Sequence, residues 1–324
     1  MKLALHKAWK YQLLTYPNPA VGALIIDENF KVLSIGSHKK AGDAHAELDA
    51  VIKALDDKKI DKFQDITSKY NYIVENYKDY FKGSTIYVTL EPCNHIGKTP
   101  ACSLLIEKMG FSRVVIGATE QNSVALGGGE YLKKIGVEVV RGVLEKECNN
   151  LIYPFLRWTK YKQFIFFKIA TSLNGVYDGG VISSYRSREY VHLLRDKIDL
   201  LVIGGESVRV DRPTLDSRFV GGKAPDILIV SKRDDFDKDI PLFKVNGRKV
   251  YIEDNLDKIK EYKFIMLEGG NRLFDLFKDR IDMMLIFRSA NIKSGKVFRS
   301  DINMEYLYTL NNGIDNIEWL KESS

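Results

Sequence analysis

Three cysteines in 324 residues are too few for a disulfide framework. No run approaches the roughly 18 apolar residues that a membrane-spanning helix needs. Excess charge is scarce as well: Lys+Arg 49 against Asp+Glu 43 leaves +6, spread along the chain and not gathered into the basic stripe of a dedicated nucleic-acid binder. The opening Met1-Lys2-Leu3-Ala4-Leu5-His6 lacks the long apolar core and small-residue cleavage site of a secretory signal. There is no internal repeat, no low-complexity tract and no G-x-G-x-x-G between a strand and a helix. These absences argue against a secreted scaffold, a membrane protein and a Rossmann dinucleotide site. They lead to the expectation of a cytoplasmic protein, without membrane or nucleic-acid partners, in which a close pair of cysteines is better read as metal ligands than as a disulfide.

What is present is room for two cores, since a domain takes about 100 to 200 residues. Apolar spacing predicts a helix over Leu3 to Leu14, a break at Tyr16-Pro17-Asn18-Pro19, and strands over Ala20 to Ile26 and Lys31 to Ile35 across the Asp27-Glu28-Asn29 turn. A helix over Ala46 to Leu55 and a strand over Thr85 to Leu90 follow, then further alternation of helix and strand through Val140. Asp56 to Lys82, rich in Lys, Asp and Tyr, reads as a solvated surface insertion with some helix. A helical segment, Glu145 to Lys160, leads to Phe164 to Ile169, whose unbroken apolar character suits a strand buried on both faces. Shorter apolar runs at Leu200 to Ile203, Ile227 to Val230, Phe264 to Leu267 and Met283 to Phe287 predict a second α/β sheet. His6 and His192 read as helix-surface residues, and Cys148, alone in a polar segment, as a plain thiol.

The chemistry concentrates in two stretches of the first half. His45-Ala46-Glu47 stands at a helix start, and Pro92-Cys93 through Cys102 follows directly on a strand. One imidazole and two thiolates suit a tetrahedral zinc ion with its fourth position left to water, the arrangement of a catalytic site. His95 could close the site as a fourth ligand, but two residues after Cys93 it would crowd the same metal. Zinc lowers the pKa of a bound water from 15.7 to about 7, and Glu47, beside the metal without binding it, can carry the proton to a ring nitrogen and then to departing ammonia.

This H-x-E and P-C combination resembles the cytidine/deoxycytidylate deaminase superfamily. The second cysteine lies nine positions after the first instead of three. That longer loop, Asn94-His95-Ile96-Gly97-Lys98-Thr99-Pro100, is similar to one branch, the bifunctional riboflavin-biosynthesis deaminase/reductases, as are Pro17-Asn18-Pro19-Ala20-Val21-Gly22, His38 and Thr89-Leu90-Glu91-Pro92-Cys93. The resemblance implies that Asn18, His38, His95 and Lys98 contact the pyrimidine and the ribose phosphate of the substrate. An amide can read a ring edge, and Lys98 offers a point charge to phosphate.

In the second half Gly204-Gly205 and Glu268-Gly269-Gly270-Asn271 follow strands, where glycine permits close approach of a phosphate to backbone amides. Gly127-Gly128-Gly129 in the first half reads as a turn. Lys168 to Gly175, Ser207 to Arg218 and Glu268-Gly269-Gly270 resemble, in order, elements of the riboflavin reductase domain, which is similar in fold to dihydrofolate reductase. The resemblance implies NADPH contacts at Ala170, Ser207, Asp211 and Gly270, Asn271, Arg272, Leu273, Phe274, Asp275 and Leu276. It implies substrate contacts at Lys168, Leu215, Arg218 and Glu268, with Lys168 catalytic. Asn174, Val181 and Arg212 depart from the family pattern.

The expected architecture is therefore α/β: a cytidine-deaminase-like three-layer domain over residues 1–146, then a dihydrofolate-reductase-like domain over 147–324. The expected function is zinc-dependent deamination of a phosphorylated diaminopyrimidine followed by NADPH-dependent reduction of its ribosyl group. Homo-oligomerisation, as a dimer or tetramer, is what the resemblance implies. The sequence admits two other readings. A nucleoside or tRNA-editing deaminase with an accessory domain would show C-x-x-C spacing and a basic aromatic channel, and a non-catalytic zinc-stabilised binding protein would have no need of Glu47.

Overall fold

A computed structural model describes residues 1–94, 100–119 and 127–323. The chain divides into two compact units, Met1–Tyr153 and Pro154–Ser324. In the first unit α1 (Lys2–Trp9) precedes β1 (Gly22–Ile26) and β2 (Val32–Ser37), followed by α2 (Ala46–Leu55), α3 (Ile66–Asn76), β3 (Thr85–Leu90), α4 (Cys102–Lys108), β4 (Arg113–Ala118), α5 (Gly128–Lys134) and β5 (Glu138–Val140). The helix α6 (Glu145–Tyr161) contains Pro154, at which the second unit begins. A proline lacks the N–H that would continue the helical ladder.

The five strands lie in the order β2-β1-β3-β4-β5, antiparallel up to β3 and parallel from β3 onward. Alternation along the strands sends side chains to two faces. Ala23, Ile25, Ile86, Val88, Val114 and Ile116 share one core with Leu48, Val51 and Leu105 of α2 and α4. Leu24 and Ile26 face the other way, onto Ala4 of α1. Helices thus cover both faces, and the unit has three layers.

The glycine at 36 sets the spacing of the site. A Cβ there would lie 2.3 Å from the Ala46 carbonyl oxygen and the Ala50 nitrogen, so α2 rests backbone to backbone on β2. His45 caps the start of this helix.

Several expectations need correction. The first helix stops at Trp9 instead of reaching Leu14: Leu13 takes a positive φ of 66°, and turns occupy the segment up to Pro17. The Asp56 to Lys82 insertion is more than a solvated loop. Ile60 and Ile73 are fully buried, Phe81 stacks on Phe111 at 4.8 Å, and Asp57 accepts hydrogen bonds from the Tyr72 and Tyr77 hydroxyls. Cys148 is buried too, packed where Gly117 leaves no room for a side chain. Its polar neighbours in sequence concealed one apolar face of α6.

The second unit runs β6 (Phe164–Thr171), α7 (Tyr185–Arg195), β7 (Leu200–Gly204), α8 (Gly205–Asp211), β8 (Asp226–Val230), α9 (Pro241–Lys244), β9 (Val250–Glu253), β10 (Phe264–Glu268), α10 (Asn271–Phe277), β11 (Met283–Ser289), β12 (Met304–Asn312) and β13 (Asp315–Glu322). Its eight strands order as β12-β13-β11-β6-β10-β7-β8-β9, parallel from β11 to β9, with the antiparallel β12 and β13 at one edge. The central runs are apolar on both faces, as a covered parallel sheet demands. The parallel register sets Lys168 opposite Glu268, and Glu268 opposite Ile203 on its other side. The carboxyl ends of β6, β10 and β7 therefore lie side by side, where open α/β sheets bind ligands. Among the described residues no helix is long and apolar enough to cross a membrane.

Candidate functional site

In the first unit three donors from three elements meet. His45 at the start of α2, Cys93 just after β3 and Cys102 at the first position of α4 place their ligand atoms within 4.8 Å of one another. The Nδ1 atom of His45 lies 3.4 Å from the Cys102 sulfur and 3.7 Å from the Cys93 sulfur. The strand end and two helix starts hold the donors from separate directions, so the nine-residue spacing between the cysteines is no obstacle to convergence. Soft sulfur with one imidazole is a donor set for zinc, and the residues fit that ion. Hydrogen bonding with Cys102, then with His45, pulls the Cys93 thiol down to about 4. The same contact with Cys93, reinforced by burial, pushes Cys102 up.

Glu47, two residues past His45, is 3% exposed. Burial, and then the Cys93 sulfur, raise its carboxyl above the usual range. A buried carboxyl next to the donor cluster is placed to take and return a proton, as a shuttle must. His38 ends the β2 side of the site, and burial pushes its imidazole down. Its Nδ1 lies 3.0 Å from the Ala44 carbonyl, which can only accept, so the proton sits on Nδ1. Its Nε2 then accepts from the Asn18 amide at 3.1 Å. This contact fixes which end of the Asn18 side chain carries the amide nitrogen. Asn18 and His38 are brought together beside the metal ligands, the His38 and His45 rings meeting edge-on at 5.5 Å. His95 and Lys98 lie outside the described residues.

Two neighbours escaped the sequence reading. Glu91 buries its carboxylate against the Gly129 amide at 2.9 Å and Arg141 at 3.0 Å, fastening the start of α5 to the strand end that carries Cys93. A Cβ on Gly128 would lie 1.9 Å from the Pro92 carbonyl, so this glycine run permits packing against the metal-bearing loop. Tyr70 of α3 lines a small cavity with His45, Leu48, Pro100, Cys102 and Leu105, so the insertion reaches the back of the donor cluster. The insertion's Tyr-rich pattern carried no signal for that position.

In the second unit Glu268 at the end of β10 receives Lys168 Nζ at 2.9 Å on one oxygen and Arg195 Nη2 at 2.9 Å on the other. Burial alone would raise this carboxyl, but Lys168 and Arg195 hold it at about 2. Arg195 also donates to the Asp216 carbonyl at 3.3 Å. Asp216 pairs with Arg218 at 2.6 Å and approaches His192 Nδ1 at 4.0 Å. His192 is 5% exposed and stacked on Phe219 at 4.1 Å, so its reading as a helix-surface residue is corrected. It shares the inward face of α7 with Val191 and Arg195, and burial pulls its imidazole down to about 4. Arg195 went unrecognised because a cation at the end of an apolar helix face reads as solvated until its partner on another strand is known.

Among the residues expected at a cofactor, Ala170 is half-buried on β6, and Ser207 and Asp211 lie on α8. Glu268 adds to the effect of burial in raising the Asp211 carboxyl. Gly270 precedes α10 and is covered by the Tyr177 ring, whose atoms would lie 2.4 Å from a Cβ at that position. Asn271 bonds to the backbone of Val297 and Arg299, while Arg272, Asp275 and Leu276 are exposed. Leu273 and Phe274 turn into the core, Phe274 against Phe167 and Phe298, so only their backbone faces outward from that core. Leu215 is buried with a φ of 55°, and Arg218 is half exposed.

Two of the departures from the family pattern, Asn174 and Arg212, have side-chain partners, and nothing in the structure explains the exposed Val181 side chain. Asn174 donates to the Lys293 carbonyl at 2.8 Å and accepts from the Lys293 amide at 3.1 Å, a pairing that a carboxylate cannot make. The carbonyl of Val181 accepts from Lys293 Nζ at 3.1 Å. Arg212 sits in a left-handed cap with φ 44° and pairs with Asp237.

The first unit's layers and its His/Cys donor set are those of a zinc-binding deaminase of the cytidine-deaminase type, carried on one chain with a second α/β unit. The family profile "Cytidine and deoxycytidylate deaminase zinc-binding region" matches residues 1–118. The riboflavin biosynthesis protein RibD of Aquifex aeolicus (strain VF5) is 31% identical over 301 residues, spanning 91% of this chain and 74% of that protein. A crystal structure of a diaminohydroxyphosphoribosylaminopyrimidine deaminase/5-amino-6-(5-phosphoribosylamino)uracil reductase from Thermotoga maritima superposes with a TM-score of 0.68 at 26% identity, covering 100% of this chain and 97% of that one. Acinetobacter baumannii RibD shares the fold, with a TM-score of 0.63 at 22% identity over 100% of this chain and 98% of its own. The chain belongs to the riboflavin biosynthesis protein RibD family.

Proposed function

We propose that this chain is a bifunctional riboflavin-biosynthesis enzyme: residues 1–146 deaminate a diaminohydroxyphosphoribosylaminopyrimidine, and residues 147–324 reduce the ribosyl group of the product to ribityl with NADPH. The observation that carries the reading is the convergence of His45, Cys93 and Cys102 within 4.8 Å, beside the buried carboxyl of Glu47. Zinc held by those three residues supplies the Lewis acidity that makes water a nucleophile at neutral pH. Glu47 takes a proton from the attacking water and passes it on to the departing nitrogen, so one water is consumed and one ammonia leaves. Asn18 and His38, locked to each other, orient the pyrimidine; Lys98 and His95 serve the sugar phosphate.

In the second unit Lys168 and Glu268 hold the ring-opened sugar, with Leu215 and Arg218 completing the pocket. When bound, NADPH would supply the hydride for the C1' carbon of the opened sugar, with a proton completing the ribitylamino group. The cofactor is assigned to Ala170, Ser207, Asp211 and the segment 270–276. Lys168 is the catalytic residue here, its ammonium turned toward the sugar by Glu268. The partners in this reading are the phosphorylated pyrimidine and a second copy of the chain, and neither nucleic acid nor membrane takes part. The cytoplasm is the proposed compartment, a setting supported by three free thiols.

The test is to incubate the zinc-loaded protein with the diaminopyrimidine phosphate and NADPH while following ammonia release and the absorbance of the reduced cofactor. Both signals are expected, ammonia first. A zinc-loaded sample that releases no ammonia defeats the reading. Lys168→Ala should slow NADPH oxidation by about 10² or more, in the range of an acid/base group, and leave ammonia release intact.

A further inference from the structure

Arg248 stands just before β9, in no motif, and is half-buried. Among the described residues it forms no ion pair. Its guanidinium donates instead to three backbone carbonyls: Thr214 at 2.7 Å, Leu215 at 2.8 Å and Leu242. Taking a cation out of water is costly: burial draws its pKa down to about 10 against the opposing pull of the Asp216 and Asp226 charges. A site that needed only packing would be served better by an apolar side chain.

The segment it grips is the one that carries Leu215 and Arg218. Leu215 is 5% exposed and adopts a φ of 55°, a left-handed conformation that a leucine avoids unless its surroundings impose it. From the other side Arg195, itself bonded to Glu268, donates to the next carbonyl, that of Asp216. Three consecutive carbonyls, 214 to 216, are thus taken by two arginines, one of which touches the Lys168–Glu268 pair.

We propose that Arg248 is a positioning residue of the reductase half, holding the Thr214 to Arg218 segment in the shape that meets the phosphorylated pyrimidine. The proposal rests on the reading that Leu215 and Arg218 are substrate contacts. Holding a strained loop in advance removes the ordering cost from binding, so the loss should appear in KM for the pyrimidine rather than in hydride transfer.

The experiment uses the full-length zinc-loaded protein with the deaminated pyrimidine phosphate, following NADPH oxidation for the parent, Arg248→Ala, Arg248→Lys and Arg218→Ala. Arg248→Ala should raise the pyrimidine KM about tenfold, with kcat changed less than about threefold and the NADPH KM unmoved. Arg248→Lys, whose single ammonium cannot span three carbonyls, should show a rise of about threefold or more, and it serves if the alanine variant fails to fold. Free guanidinium at tens of millimolar should lower the KM of Arg248→Ala toward the parent value and leave the parent unaffected. A merely structural role would give no such rescue.

An unchanged pyrimidine KM in Arg248→Ala and Arg248→Lys overturns the proposal. So does a joint loss of kcat and both KM values, with a lowered melting temperature and no recovery by guanidinium. If Arg218→Ala itself leaves the KM unmoved, the substrate reading of the loop falls and takes the proposal with it. If Arg218→Ala raises the KM while both Arg248 variants do not, only the positioning role is lost.

Discussion

The two units solve the problem of gathering charge under cover in opposite ways. In the first, His45, Cys93 and Cys102 point at one another, and electron-pair donors in close quarters call for a cation between them. In the second, Glu268 is already clasped by Lys168 and Arg195, so the network is compensated by the chain itself. The contrast teaches that one site depends on a guest for its electrostatics and the other does not, although both stand at strand ends of α/β sheets.

Removing the guest should therefore separate the two halves. Stripping zinc with a chelator, or replacing Cys102 with alanine, is expected to abolish ammonia release while reduction of supplied deaminated substrate stays within about twofold. A parallel collapse of both activities would break the contrast. Next in size is Glu47→Gln, which should keep the metal, as measured by bound zinc, yet slow deamination by about 10² to 10⁴-fold. Full activity in that variant removes the proton shuttle while leaving the metal centre standing.

The smallest effect sharpens the other side of the comparison. The carboxyl of Glu268 is held at about 2 against an ordinary 4.5, so it contributes stability above about pH 4.5, and that contribution drains away as pH falls toward 2. The melting temperature of the second unit should drop across that interval, and Glu268→Gln should flatten the drop. An identical acid profile in both proteins would show that the network is not compensated by this carboxylate.

The convergence of His45, Cys93 and Cys102 was legible because they and Glu47 fall in two short stretches, one at the start of a helix and the other directly after a strand. The five central strands β6, β7, β8, β10 and β11 were legible for a related reason, since a strand buried on both faces announces itself by an unbroken apolar run. The edge strands β9 and β12 went unseen, as did β13 beside β12: burial along the edges is mixed, as in Met304–Asn312, where half-buried and exposed residues interrupt the alternation. Arg195, His192, Asp216 and Arg248 share a place only because α7, the loop before Arg218 and the approach to β9 converge, and no spacing along the chain reports that. The insertion misled through composition, its lysines and aspartates outnumbering the few residues, Ile60, Ile73 and Phe81, that enter the core.

The bare backbone contact at Gly36 ties two inheritances together. Because α2 touches β2 with no side chain between them, any bulkier residue at 36 must lift the whole helix start, and with it both His45 and Glu47. If those two serve metal and proton as proposed, a substitution there weakens affinity and turnover together and cannot trade one for the other.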